Sequence, residues 1–213
     1  MYAEYASRLF LIYLAQVALA LIISLLFFYF HKNYQRLLLR WWSYSWLSYA
    51  GTYIASAALL FVDTREPWSF MIIFFSYLQL LFLIVGVCEF LDQGSNKKLL
   101  KSGFILIVVV SFFSFIIFYN NPDGANVRYM LRVGLKSLLI GFGFTWVSLK
   151  ILFAKAFLKR FSKYFLVSAF VIYAIQQLWF AAIVFLNVAG LEIQFPINSY
   201  GIIDLFTITI MGI

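Results

Sequence analysis

Charge is what this sequence has least of. Asp, Glu, Lys and Arg make up 11% of its 213 residues, where a soluble domain carries roughly a quarter. Too little charge is present to cover a water-exposed surface, which excludes a soluble domain, a disordered region and a coiled coil. Cysteine and histidine stand at one residue each, so no disulfide framework can form and no protein-only zinc site is expected. Three prolines and 11 glycines exclude a fibrous or low-complexity chain. Pro67, Pro122 and Pro196 all fall between apolar segments. The broken helices with which many transporters bind substrate at mid-membrane are therefore missing. Also missing are His-x-x-His and Cys-x-x-Cys pairs, paired carboxylates and a Gly-x-Ser-x-Gly elbow, so no familiar catalytic constellation can be assembled. No Lys follows Lys163, against the chromophore lysine that retinal proteins carry in their last helix. No cofactor, no metal and no catalytic residue are expected.

What is present is apolar: 65% of the chain is hydrophobic and 22% aromatic. A transmembrane helix needs about 20 mostly apolar residues to cross ~30 Å of hydrocarbon. Seven segments are read on that scale, at about 9–30, 41–62, 69–91, 103–119, 129–153, 164–189 and 200–213. The expectation is one transmembrane domain over 1–213, an all-α integral membrane seven-helix bundle. The seventh segment has about 14 residues, too few to cross, and is read as truncated.

Loop charges set the orientation. Lys32, Arg36, Arg40, Lys97, Lys98, Lys101, Lys150, Lys155, Lys159, Arg160 and Lys163 lie on one side. Arg8, Arg65 and Arg128 lie on the other, beside Glu4, Asp63, Glu66, Asp123 and Glu192. Basic loops stay in the cytoplasm, so the N-terminus is expected outside and the seventh helix heads inward. The first segment is no cleaved signal peptide, because its basic cluster follows the apolar run. The net charge of +8 reads as contact with anionic lipid rather than with nucleic acid.

The fifth segment carries the most chemistry. Arg132 and Lys136 are four residues apart and share a helix face. Charges inside a membrane cost about 2.5–3.5 kcal/mol each on insertion scales and seek a partner, a wet cavity or the surface. Asp204 falls at matching depth, so Arg132, Lys136 and Asp204 are read as an intramembrane polar cluster. On the opposite face Gly134, Ser137, Gly141, Thr145 and Ser148 form a small-residue stripe suited to close helix packing. That arrangement makes the fifth helix the expected centre of the bundle. Glu89, too deep on the other side to join the cluster, is expected to pair with Lys97, Lys98 or Lys101. Gln176, Gln177 and Trp179 read either as interhelical glue or as a ligand pocket. His31 and Cys88 read as a border residue and a small apolar residue.

Arg36, Arg40, Trp41, Trp42 and Trp46 are read as interface anchors, two cations four apart beside aromatic rings. The stretch from His31 to Ser48, with Tyr34-Gln35-Arg36-Leu37-Leu38-Leu39 before a Trp-rich helix start, resembles the N-terminal seven-helix sensor regions of bacterial signalling proteins. Those regions precede histidine-kinase or diguanylate-cyclase domains, though no kinase or cyclase motif occurs in this chain. The resemblance implies a multi-pass protein of the bacterial inner membrane that relays a stimulus through helix seven. Its implied partners are the lipid bilayer, a small or lipophilic ligand and, through an output domain, a second copy. A small-solute transporter or channel stays open as an alternative, as does a membrane enzyme subunit or assembly factor.

Overall fold

A computed structural model describes residues 2–62, 65–92, 97–117, 124–154 and 160–191. Those residues form helices α1 (Tyr2–Tyr34), α2 (Leu37–Ala58), α3 (Arg65–Asp92), α4 (Lys97–Ile116), α5 (Ala125–Phe153) and α6 (Arg160–Val188). No strand occurs among them. All except α2 are long and apolar enough to cross a membrane. The segment at 200–213, including Asp204, lies outside the described residues. Each described helix starts a few residues before its apolar segment, because a helix extends past the hydrocarbon into the polar border. Thus α4 begins at Lys97 and α3 at Arg65.

The second helix is the polar exception. Ser43, Ser45, Ser48, Thr52 and Ser56 lower its hydropathy, and all except Ser56 are buried. In lipid, the apolar environment is the same inside and outside a bundle, so packing and interhelical hydrogen bonds hold helices together. α2 supplies both. Ser24 and Ser43 exchange bonds, each hydroxyl donating to the other's backbone carbonyl at 2.9 Å, which ties α1 to α2. Ser45 donates to the Gln79 carbonyl at 3.0 Å, which ties α2 to α3. Ala20, Ile23, Tyr49 and Ala50 close the α1–α2 seam.

α3 is the most enclosed helix. Of its apolar span 56% is buried, against 39% for α5 and for α6, 22% for α1 and 11% for α4. It packs on α2, α4 and α5. Among the described helices, α3 is thus more enclosed than α5, the helix that the small-residue stripe put at the centre. Physically, α3 is lined on several sides by serines, glycines and aromatics of its neighbours, whereas α5 uses its stripe on one neighbour, α6.

A core of Trp42, Leu83, Val87, Ile140, Phe144, Val147, Ile151, Phe170 and Tyr173 joins α2, α3, α5 and α6. The ends of α1, α3 and α5 and the starts of α2, α4 and α6 share one end of the bundle. Trp41, near the start of α2, meets Glu89, near the end of α3. Trp42 meets Phe170, near the start of α6. Most of the described Lys and Arg residues gather there, so it is called the basic end below. His31 closes the α1–α2 turn: its backbone carbonyl accepts from Gln35, which sits at φ 49°, and its ring Nδ1 donates to the Arg36 carbonyl at 2.9 Å.

Candidate functional site

At the basic end, Trp41 and Trp42 are not lipid-facing anchors. They are 7% and 8% exposed and point into the bundle, because α3 presents a glycine to them. A Cβ at Gly86 would stand 3.0 Å from Trp41 Cβ and 3.1 Å from Trp42 Cδ1. One turn on, Glu89 is buried, and its carboxylate accepts the Trp41 indole N–H at 2.5 Å. The Arg40 guanidinium lies over the Trp41 ring, 4.9 Å from its centroid. A cation over its face and an anion at its N–H edge thus flank the Trp41 ring. Trp46 is half-buried and Arg36 exposed, so Arg36 alone of the five keeps an unobstructed position at the border. Lys97, Lys98 and Lys101 are exposed on α4, and Trp41 donates to Glu89.

Deeper in, Trp42, Ser45, Trp46, Tyr49, Gln79, Leu83, Phe144 and Phe170 enclose a cavity of about 20 Å³, wide enough for roughly one water molecule. Trp42 Nε1 is buried without a hydrogen-bond partner among the described residues. Phe144 packs edge-on against Phe170 and Tyr173, sealing the centre with aromatic rings.

The first part of α5 departs from regular α geometry. Met130–Leu135 form a π-helical turn, whose i→i+5 bonds widen the helix and rotate the residues above it relative to those below. Arg132 sits in this turn. Its Nη2 donates to the Phe115 carbonyl at 2.9 Å and its Nε to the Ser114 carbonyl at 3.4 Å. Those carbonyls belong to the last turn of α4, which lacks intrahelical donors and bears the negative end of the helix dipole. The guanidinium also covers the Phe115 ring at 5.2 Å. Lys136 is half-buried in the next turn. The structure thus joins Arg132 to α4, while Asp204, the third member of the expected cluster, lies outside the described residues.

The small-residue stripe faces α6. At Gly141 a Cβ would stand 2.6 Å from Leu178 Cγ and 3.2 Å from the Ala174 carbonyl; at Gly134 it would meet Val184 at 3.1 Å. Ser137 and Ser148 are buried, and Thr145 bonds back to the Gly141 carbonyl. Gln176 and Gln177 are half-buried and Trp179 is 57% exposed. None of the three lines the central cavity.

A second space opens sideways. Between α3, α4 and α5 lies an apolar groove of about 380 Å³, lined by Tyr77, Leu80, Leu81, Ile84, Leu99, Gly103, Leu106, Ile107, Val110, Leu139 and Gly143. Two glycines make room for the side chains of its floor. A Cβ at Gly143 would reach within 2.5 Å of the Leu80 methyls, and one at Gly103 would collide with Leu81. Sequence reading missed this groove, since Gly103 and Gly143 lie on different helices and neither belongs to a stripe.

Among the described residues no group of His, Cys, Asp and Glu is placed to hold a metal ion. No protein-family model matches the chain, and neither curated proteins nor solved structures yield a match.

Proposed function

We propose that the chain is a membrane-embedded sensory input domain. Its stimulus acts from the lipid phase and is passed on as a change in helix packing. The observation that carries this reading is the contrast between the two spaces. The central one is sealed by aromatic rings and holds about 20 Å³, whereas the one of about 380 Å³ opens sideways between α3, α4 and α5. A transporter or channel needs a polar route through the bundle, and the described core supplies none.

In this reading the bundle is a seven-helix inner-membrane domain with its basic end in the cytoplasm, and the segment at 200–213 is the seventh helix. That helix leads to an output domain of the kinase or cyclase type, which also brings two copies together. Small shifts between packed helices are an established way for such proteins to switch. The π-helical turn around Arg132 offers a place for one, since such turns mark sites where a helix changes register.

Reconstitution tests the choice between sensing and transport. Vesicles carrying the chain should stay tight to ions and small solutes. Distances between spin labels on α4 and α5 should meanwhile shift when lipid composition is changed. Solute flux with unchanged distances would overturn the proposal.

A further inference from the structure

α5 holds one residue more than a regular helix of the same length requires. Over Met130–Leu135 it is π-helical, and one turn of i→i+5 bonds equals a single residue inserted into an α-helix. Such turns are rare, since α geometry competes with them at every residue. Contacts from outside the helix must therefore hold this one, and among the described residues two do so. Arg132, inside the turn, donates to the Phe115 and Ser114 carbonyls of α4 and covers the Phe115 ring. Gly134, also inside it, lies against α6, where a Cβ would stand 3.1 Å from Val184 Cγ1.

The two sides of the turn differ in how firmly they are fixed. Beyond it, Ser137, Ile140, Gly141 and Phe144 are buried, and Gly141 lies against the Ala174 carbonyl. Before it stand only Ala125–Tyr129, none of them buried. That short segment starts at Gly124, which has no side chain to cap the helix. The extra residue can therefore leave the helix at this end without disturbing the seam with α6. Its departure converts the turn to α geometry and advances every earlier residue by one position. One position is a rotation of about 100° and a rise of ~1.5 Å. Arg132 turns with that segment, away from α4. The carbonyls it leaves belong to the last turn of α4, where the helix itself supplies no donors. α4 is also the least enclosed helix, with 11% of its apolar span buried.

We infer that the π-helical turn is a one-residue register switch, with Arg132 as the latch that keeps the extra residue in place. With the latch closed, α4 is tied to α5. With it open, α5 is regular to its start and the tie to α4 is gone. The switch is a property of α5 and stands whether or not the domain is a sensor.

The test uses the full chain in lipid nanodiscs, with its single cysteine, Cys88, replaced by Ala. Spin labels at Asn126→Cys, before the turn, and Leu186→Cys, on α6 just past Val184, report the register; both positions are exposed. A rotation of about 100° moves a label on a helix ~10–12 Å wide by up to about 8 Å. The labelled chain should give one main distance, and Arg132→Met should add a second, displaced by several ångströms. A merely structural tie would loosen α4 without moving Asn126 against α6. Deleting Val133, in the middle of the turn, removes the extra residue. That deletion should restore the single distance in the Arg132→Met chain and keep folded yield near wild type. Deleting Phe142, which is exposed and in regular helix, puts Gly134 and Gly141 out of step with Phe144, Val147 and Ile151. It should lose most of the folded protein. One unchanged distance in the folded Arg132→Met chain would overturn the inference. So would a second distance that survives the Val133 deletion, or equal folded yields for the two deletions.

Discussion

The indole N–H of Trp41 donates to the Glu89 carboxylate across 2.5 Å, joining the second turn of α2 to the last turn of α3. A carboxylate removed from water needs hydrogen bonds to remain there. Trp42, the next residue, is equally buried, yet its own Nε1 has no partner among the described residues. The two tryptophans thus form a built-in comparison. Trp41→Phe should destabilise the bundle by about 1.5–3 kcal/mol more than Trp42→Phe, the range of a hydrogen bond to a charged group. Unfolding in mixed micelles titrated with dodecyl sulfate measures the difference. Equal losses would mean that the bond contributes nothing.

Gly141 lies against the Ala174 carbonyl and Leu178, where backbone cannot give way as a side-chain tip can. Gly141→Leu should therefore separate α5 from α6 and cost about 1–3 kcal/mol or more, as overpacking does. Phe142→Leu, at a neighbouring residue that is 58% exposed, should leave folded yield near wild type. Comparing folded yield by size-exclusion chromatography distinguishes the two positions.

Arg132 holds α4, the least enclosed helix, to α5. Arg132→Met keeps a long apolar stem and removes the donors. It should increase the spread of distances between spin labels on α4 and α5 and lower stability by about 1.5–3 kcal/mol. Asp204→Asn provides the complementary reading. If Asp204 belongs to one cluster with Arg132 and Lys136, its removal and that of Arg132 will be non-additive in a double-mutant cycle. Additive losses would leave the α4 carbonyls as the partners that matter to Arg132.

The sequence made some of this legible and hid the rest for identifiable reasons. Runs of apolar residues located the helices, since length and hydropathy are local properties. Gly141 and its companions could be placed on one face, because helix spacing is also local. Hydropathy could not tell the protein interior from lipid, which is why Trp41 and Trp42 read as border anchors although Gly86, on another helix, admits them to the core. The Glu89 donor lies 48 positions away in the chain, and no periodicity reports such a contact. The π-helical turn is similarly silent, since Met130–Leu135 contains no residue that compels it. The groove arises from Gly103 and Gly143 on separate helices, and it exists only after assembly.

The uneven loop charges predict an orientation. A reporter fused after Lys101 or Lys163 should be cytoplasmic, and one fused after Asp123 should be external. The reverse pattern would place the basic end on the external side.

Coupling of this bundle to an output domain is tested most directly in a chimera that joins residue 213 to a diguanylate-cyclase domain. Cyclase activity is then measured in vesicles of phosphatidylcholine with and without phosphatidylglycerol. A sensory input domain that responds from the lipid side predicts activity that changes with the lipid, and a response that Arg132→Met or Leu106→Trp weakens. Activity that is the same in both vesicles, and the same in both variants, would contradict it.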